Sequence, residues 1–492
     1  MTFLIITKYI LLVIGSILLY ELLRAIIKKK LSRKFNRSVK SFIERYNIKL
    51  DDFKFTHKFL IKQELLDDND LHQAAIIYAR NNGIRIQEAE DMVEEYIEEI
   101  VPFFSITLYY ALGIKIASFI VNLLYDVVVD NRNIENLEKI PRDKSIVFVM
   151  NHRSNIDYMV VPYILAQHFI VSFAAGEWAR IWPLESMAKS FGAYFIRRKF
   201  RNELYSAVLQ KYIQMISMKG VTQGIFIEGA LSRDGNLRES KIGILDYIIE
   251  IISNPVFTSD ILFVPVGINY DWILEDRGLI KEWKKKGEKS GLFRNLPSLI
   301  RITLTAPLMI LKNIIKYIAG KPIKHRRASV YFGDPISINN YLKGQKQDIF
   351  TLHKYERLSV VKQFADKLLH HIGEVVPVTP VPLTAKAITM LKKDSIDRTE
   401  LIDTIAKLYA SLINDHRKII IDTTYRHFVK GKKDHVRFDE QWFMDDTKRI
   451  TDKALAILER RKIVKSDSNH ITINTKKRHF IEYYSNAINH FF

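Results

Sequence analysis

Cysteine is absent from the 492 residues, which excludes disulfides, thiolate metal sites and cysteine nucleophiles together. That absence leaves the compartment open, because a chain without disulfides is compatible with any. No Gly-x-Ser-x-Gly elbow occurs, and the serine-hydrolase class falls with it. Internal repeats, low-complexity tracts and recognised nucleic-acid modules are also missing. Acidic side chains are in deficit, 55 against 75 basic, for a formal charge of +20. Such an excess draws a protein toward something acidic. An anionic bilayer satisfies that charge as well as nucleic acid does, and no nucleic-acid partner is expected. What is present is core material. Apolar residues make up 48% of the chain, enough for two to four structural units and too many for a disordered one.

The N-terminus is apolar from Phe3 to Leu23 except at Thr7, Lys8, Gly15, Ser16 and Glu21. As a helix it would reach about 30 Å, roughly the hydrocarbon thickness of a bilayer. Lys28, Lys29, Lys30, Arg33, Lys34, Arg37 and Lys40 follow it, and no small-residue cleavage site does. A membrane anchor with the rest of the chain on the cytoplasmic face is therefore expected. A second apolar stretch, Val101 to Val129, is broken by Lys115, Asn122 and Asp126 and reads as a buried or interfacial helix of a globular unit. Leu65 to Ile100 is helical in pattern, with a turn at Asn81-Asn82-Gly83.

From about Ser145 short β-rich runs alternate with longer helical segments such as Glu203–Met218. The runs are Ser145–Met150, Phe169–Ala174, Ala193–Ile196, Gly224–Ile227, Ile261–Ile268 and Ala328–Phe332. That alternation predicts an α/β unit with a largely parallel or mixed sheet. The basic run Lys281 to Lys289 reads as a solvated loop or a lipid-facing surface. After Pro377, Pro380 and Pro382 the chain turns helical again, with a β-like patch at His470–Asn474. The organisation expected is an anchoring helix and basic flank over 1–40, a helical region over 41–130, an α/β unit over 131–340 and a mostly helical unit over 341–492.

In an open α/β sheet a ligand sits beyond the carboxyl ends of the strands. Three of the predicted strands end in chemistry: His152, Arg153, Ser154 and Asp157 after the first, Arg197 and Arg198 after Ala193–Ile196, and Glu228, Gly229, Ser232, Arg233 and Gly235 after Gly224–Ile227. Histidine accepts and returns a proton near neutrality, and a carboxylate on its other nitrogen orients it. The His152–Asp157 spacing alone carries little; its place just past a strand singles it out. Paired arginines grip phosphate through planar forks, and Glu228 behind an apolar strand needs a partner once buried.

These residues resemble a known family. Asn151 to Tyr158, Phe191 to Arg198, Phe226 to Arg233 and Val264 to Tyr270 look like the four ordered blocks of the glycerolipid acyltransferases. More narrowly, they resemble the bacterial membrane-bound glycerol-3-phosphate acyltransferases and the related dihydroxyacetone-phosphate acyltransferases. Ile76-Ile77-Tyr78-Ala79, Asn122 to Asp126, Trp182-Pro183 and Tyr483 to His490 extend the likeness over most of the chain from about Glu64. The resemblance implies an acyltransferase-type mixed sheet and transfer of a fatty acyl group from acyl-CoA or acyl carrier protein to the sn-1 hydroxyl of glycerol 3-phosphate, giving lysophosphatidate. It implies His152 as base, Asp157 as its orienter, Arg198 with Arg197 and Arg233 on the phosphate, Glu228 ordering these groups, and Pro265 shaping the acyl side. Arg153, Ser154, Gly229, Ser232 and Lys241 join the substrate-binding set. No metal or cofactor is implied beyond the acyl donor, and the location implied is the inner bacterial membrane.

Three positions, in two of the blocks, depart from the family. Its third block usually reads Glu-Gly-Gly-Arg-Ser-Arg, whereas Ala230 and Leu231 stand here at the second glycine and first arginine. A missing charged hydrogen bond costs about 1.5–3 kcal/mol, or roughly ten- to a hundred-fold in affinity. Either Arg233 compensates, or the acceptor differs: dihydroxyacetone phosphate, or a lysophospholipid. Asn155 stands where a second histidine is frequent, leaving the His–Asp pair intact. The chain is shorter than the long bacterial members, with the difference expected on its N-terminal side. A catalytically silent acyl-CoA- or membrane-binding homologue is the competing class.

Overall fold

In the computed structural model the described residues are 58–102, 109, 113–129, 137, 139–141, 144–166, 168–176, 189, 192–197, 202–284, 327–414 and 440–492. The expected anchoring helix and its basic flank lie outside them. Three helices open the fold: α1 (Lys58–Leu66), α2 (Asn69–Asn82) and α3 (Ile86–Ile100). Asp68 caps α2 by accepting from the backbone of Asp70 and Leu71, and Gly83 ends it in the left-handed conformation, φ 66°. The turn expected at Asn81–Gly83 is this cap.

Then come α4 (Ile114–Leu124), β1 (Asp126–Val129), β2 (Ser145–Met150), α5 (Asp157–Leu165), β3 (Ser172–Gly176), β4 (Tyr194–Ile196), α6 (Glu203–Met218), β5 (Gln223–Phe226), α7 (Gly243–Glu250), β6 (Ile261–Tyr270) and α8 (Asp276–Lys284). Of the second apolar stretch, α4 packs Ala117, Val121 and Leu124 inward. Among the described residues no helix is long and apolar enough to cross a membrane. The basic run begins not as a loop but as the last turn of α8, because Leu279 and Ile280 bury one face of that helix.

The remaining elements are β7 (Arg327–Phe332), β8 (Ile336–Ser337), α9 (Ile338–Lys343), α10 (Lys354–Val375), α11 (Pro380–Leu391), β9 (Ser395–Asp397), α12 (Arg398–Asn414), α13 (Glu440–Arg460), β10 (Val464–Ser466), β11 (His470–Ile473) and α14 (Arg478–Asn486). The main sheet runs β1-β7-β6-β2-β5-β3-β4, with β8 also on β6. It is mixed: β6 is antiparallel to β7 and β8, while β2 is parallel to both β5 and β6. A separate antiparallel sheet orders β10-β11-β9.

Every residue of β2 is buried, as expected of a central strand covered on both faces. Alternation divides it. Ile146, Phe148 and Met150 enter a core shared with α4, α5 and the helices from α11 onward, whereas Val147 and Val149 enter one shared with α2, α3, α6, α7 and α10. A mixed sheet between two helical layers results, and its central strand, β2, ends at the residues that matter.

Candidate active site

Asn151 sets the geometry at the end of β2. Its side-chain amide donates to the Ile268 carbonyl at 2.9 Å and accepts from the Ile268 N–H at 2.8 Å, so it closes the β2–β6 pairing while the main chain turns away. His152 is the next residue, 2% exposed, its ring stacked on Phe226 at 4.0 Å between centroids and met edge-on by Tyr158. Its Nδ1 lies 2.9 Å from Asp157 Oδ2. That oxygen also accepts the backbone N–H of Arg153 at 2.9 Å and of Ser154 at 3.0 Å, while the Tyr270 hydroxyl donates to Oδ1. A carboxylate oxygen that already takes two backbone N–H groups meets the imidazole as an acceptor. Nδ1 therefore carries the proton, and Nε2, which has no hydrogen-bond partner among the described residues, is the basic nitrogen.

Glu228 follows β5 and is 1% exposed. It accepts the His152 N–H at 3.3 Å and the Arg238 N–H at 3.2 Å, tying the loop after β5 to the loop after β2. Burial pushes its carboxyl up to about 7, against the pull of Arg153 and of those two N–H groups. The unfolded chain binds this proton less tightly, so the native state gains stability below the ordinary carboxyl range and loses it as pH rises toward 7. Thermal melts of the wild type and Glu228→Gln should thus diverge in favour of the variant between about pH 4.5 and 7, by about 1.4 kcal/mol per pH unit. Parallel curves across that window would refute the buried, reluctantly ionised carboxyl.

The rest of this loop is closed on itself and on the C-terminus. Gly229 turns at φ 67° with the Lys241 side chain beside it. Ser232 donates its N–H to the His152 carbonyl at 3.0 Å, and its hydroxyl accepts from Gly235 N–H and donates to the Asn236 carbonyl. Gly235 has φ 91°, and a Cβ there would stand 2.0 Å from the Tyr483 carbonyl oxygen, so only glycine admits α14 this close. Arg153 runs beneath, fully buried, with its guanidinium on the carbonyls of Gly235 and Ala487. These bonds pin the active loops to the last turns of the chain.

An acyltransferase family description matches residues 131–269, and that of a glycerol-3-phosphate acyltransferase C-terminal region matches residues 314–492. The chain thus carries an acyltransferase region followed by a glycerol-3-phosphate acyltransferase C-terminal region. Proteins named glycerol-3-phosphate acyltransferase are 27% identical over 380 residues in Aeromonas hydrophila and 25% over 397 residues in Haemophilus influenzae. These alignments cover 75% and 78% of this chain but 44% and 46% of the relatives, so the chain spans less than half their length. A solved 1-acyl-sn-glycerophosphate (LPA) acyltransferase from Thermotoga maritima overlaps 64% of this chain and 95% of its own at 17% identity, with a TM-score of 0.28, too loose to carry weight.

Within the family's blocks, His152, Asp157, Glu228, Gly229 and Ser232 converge at the carboxyl ends of β2 and β5. Arg198 lies outside the described residues. Arg197 closes on Glu99 of α3, Nε to Oε1 at 2.8 Å, between the rings of Tyr96 and Tyr205. Arg233 is half exposed and pairs with Glu282 at 3.1 Å. Lys241 is exposed, its backbone N–H bonded to Ile227. Pro265 is in register with Val149, at the point where the partner of β6 changes from β8 to β7; a missing N–H is tolerated there. Ser154 gives its hydroxyl to Glu275 at 2.9 Å, and Asn155 its N–H at 2.6 Å.

Sequence reasoning named Asn151 and Tyr270 only as the ends of motif blocks, without a role, and did not name Glu275 or Arg238. Only Tyr270 left a signal: it ends an apolar strand with a hydroxyl that must find a partner inside.

Proposed function

We propose that the protein transfers a fatty acyl group from a thioester donor to a hydroxyl of glycerol 3-phosphate. One observation carries this reading: a buried imidazole with Nδ1 on a well-anchored carboxylate and Nε2 uncommitted, at the carboxyl end of a central strand. In that arrangement Nε2 takes the proton of the acceptor hydroxyl as its oxygen attacks the thioester carbonyl carbon. The tetrahedral intermediate collapses with cleavage of the C–S bond, and the imidazolium returns the proton to the departing thiolate. Asp157 holds the ring and offsets the charge it gains. No acyl-enzyme forms, consistent with the absence of cysteine and of a serine elbow. The sn-1 hydroxyl, an acyl-CoA or acyl carrier protein donor, and residence on the cytoplasmic face of a bacterial membrane belong to this proposal. The family names, the basic charge and the apolar N-terminal run support them.

Leu231 favours a second acceptor within the same chemistry, dihydroxyacetone phosphate, whose phosphate makes the same demand through a different carbon skeleton. The test is an acceptor panel on the full chain, with radiolabelled acyl-CoA and acyl carrier protein against glycerol 3-phosphate, dihydroxyacetone phosphate, a lysophospholipid and glycerol. Ester formation is expected with the phosphorylated three-carbon acceptors, without a burst of acylated protein. Donor binding with no product from any acceptor would make the protein a silent homologue.

A further inference from the structure

Leu231 leaves the third block without the arginine that its resemblance leads one to expect, and the structure puts a different guanidinium in that neighbourhood. Of the described arginines that follow β2, β4 and β5, Arg153 is sealed against two main-chain carbonyls, Arg197 is closed on Glu99 and Arg233 is paired with Glu282. Arg238 is the exception. It forms no ion pair with a described carboxylate, and its guanidinium makes one hydrogen bond, from Nη1 to the Leu231 carbonyl at 3.1 Å. The same Leu231–Ser232 peptide donates its N–H to the His152 carbonyl. One peptide unit thus links the Arg238 fork to the backbone of the base. Its own N–H rests on Glu228, which also holds His152 N–H, so the position of Arg238 is fixed from both ends.

We propose that Arg238 is a phosphate-binding residue of the acceptor site and supplies the charge that Leu231 does not. The inference rests on the acyl-acceptor reading above. Its logic is geometric: a guanidinium has five donors, one of Arg238's is spent on Leu231, and Nε and Nη2 are left for a phosphate oxygen pair. Arg233, the compensating residue that position in the motif suggests, instead spends its charge on Glu282.

The experiment uses the detergent-solubilised full chain and reads binding separately from turnover. Calorimetric titration with glycerol 3-phosphate is compared for wild type, Arg238→Gln, Arg238→Lys and Arg238→Gln combined with Leu231→Arg, each with a thermal melt. Arg238→Gln is expected to weaken binding about ten- to a hundred-fold, Arg238→Lys less, and Leu231→Arg to restore part of the loss. KM for glycerol 3-phosphate should rise by the same factor, with KM for acyl-CoA unchanged and glycerol binding unaffected. Wild-type binding by Arg238→Gln overturns the assignment, and so does an equal rise in both KM values, which marks a merely structural residue. Binding to anionic vesicles should be unchanged; a loss there with glycerol 3-phosphate binding intact overturns it in favour of a headgroup contact. Wild-type binding lost in Arg238→Gln, but without turnover from any acceptor, sustains Arg238 and sinks the enzyme reading; turnover with Arg238→Gln kinetically normal does the reverse.

Discussion

His152→Ala is expected to lower kcat by about 10²- to 10⁴-fold, the range that a positioned general base contributes. Binding of either substrate should hardly change, because Nε2 engages the hydroxyl fully only as its proton leaves. The ring is stacked on Phe226 and its loss opens space, so His152→Gln, which refills most of the volume, is the paired control. Both variants should melt cooperatively and both should be nearly inactive in initial-rate assays. Near-normal turnover in either would remove the base assignment and the mechanism built on it. Asp157 is a poorer probe. It receives donors from His152, Arg153, Ser154 and Tyr270, and its replacement would strand all of them inside the protein.

The second large effect is on stability. Arg461 and Asp276 form an ion pair whose side chains are 3% and 1% exposed. The Tyr484 hydroxyl donates to Asp276 at 2.6 Å and accepts from Arg461 at 3.0 Å, and the guanidinium lies over the rings of Trp272 and Phe480 at 4.7 and 4.8 Å. Arg461→Met should cost about 3–5 kcal/mol, since it leaves the Asp276 carboxylate buried without its counter-ion. The double variant with Asp276→Asn should recover much of that loss, because the charge itself is then gone. Denaturant midpoints of the two proteins test this, and equal midpoints would mean the pair is not the source of the cost. Activity should fall with stability here. Asp276 follows Glu275, and Glu275 holds the Ser154–Asn155 turn that leads into Asp157. The C-terminal helices therefore reach the catalytic turn through a short chain of polar contacts.

Local features were the ones legible in advance. β2 spans Ser145–Met150 and α6 spans Glu203–Met218, as their patterns predict, because an apolar run and a helical stripe are properties of neighbouring residues. His152 and Asp157 lie within one turn of chain, so their pairing needed only a strand end and the start of a helix. Phe169–Ala174 was read too early: β3 begins at Ser172, where pairing with Gln223 of β5 starts. Arg197 shows the opposite limit. Its type and place after a strand suggest an anion, but its guanidinium meets Glu99, which arrives on a helix nearly a hundred residues earlier.

Composition and periodicity specified the α/β layering and the strand ends that carry chemistry, since each depends on side chains a few positions apart. Folding assigned the rest: Tyr270 on Asp157, Glu275 on Ser154, Arg238 beside Leu231, and α14 against Gly235. Those contacts join segments from different parts of the chain, and nothing in either partner's local sequence names the other. Which donor meets which acceptor is settled only when sheet register and helix packing bring the two surfaces together, and burial then makes an unpaired group too costly to leave.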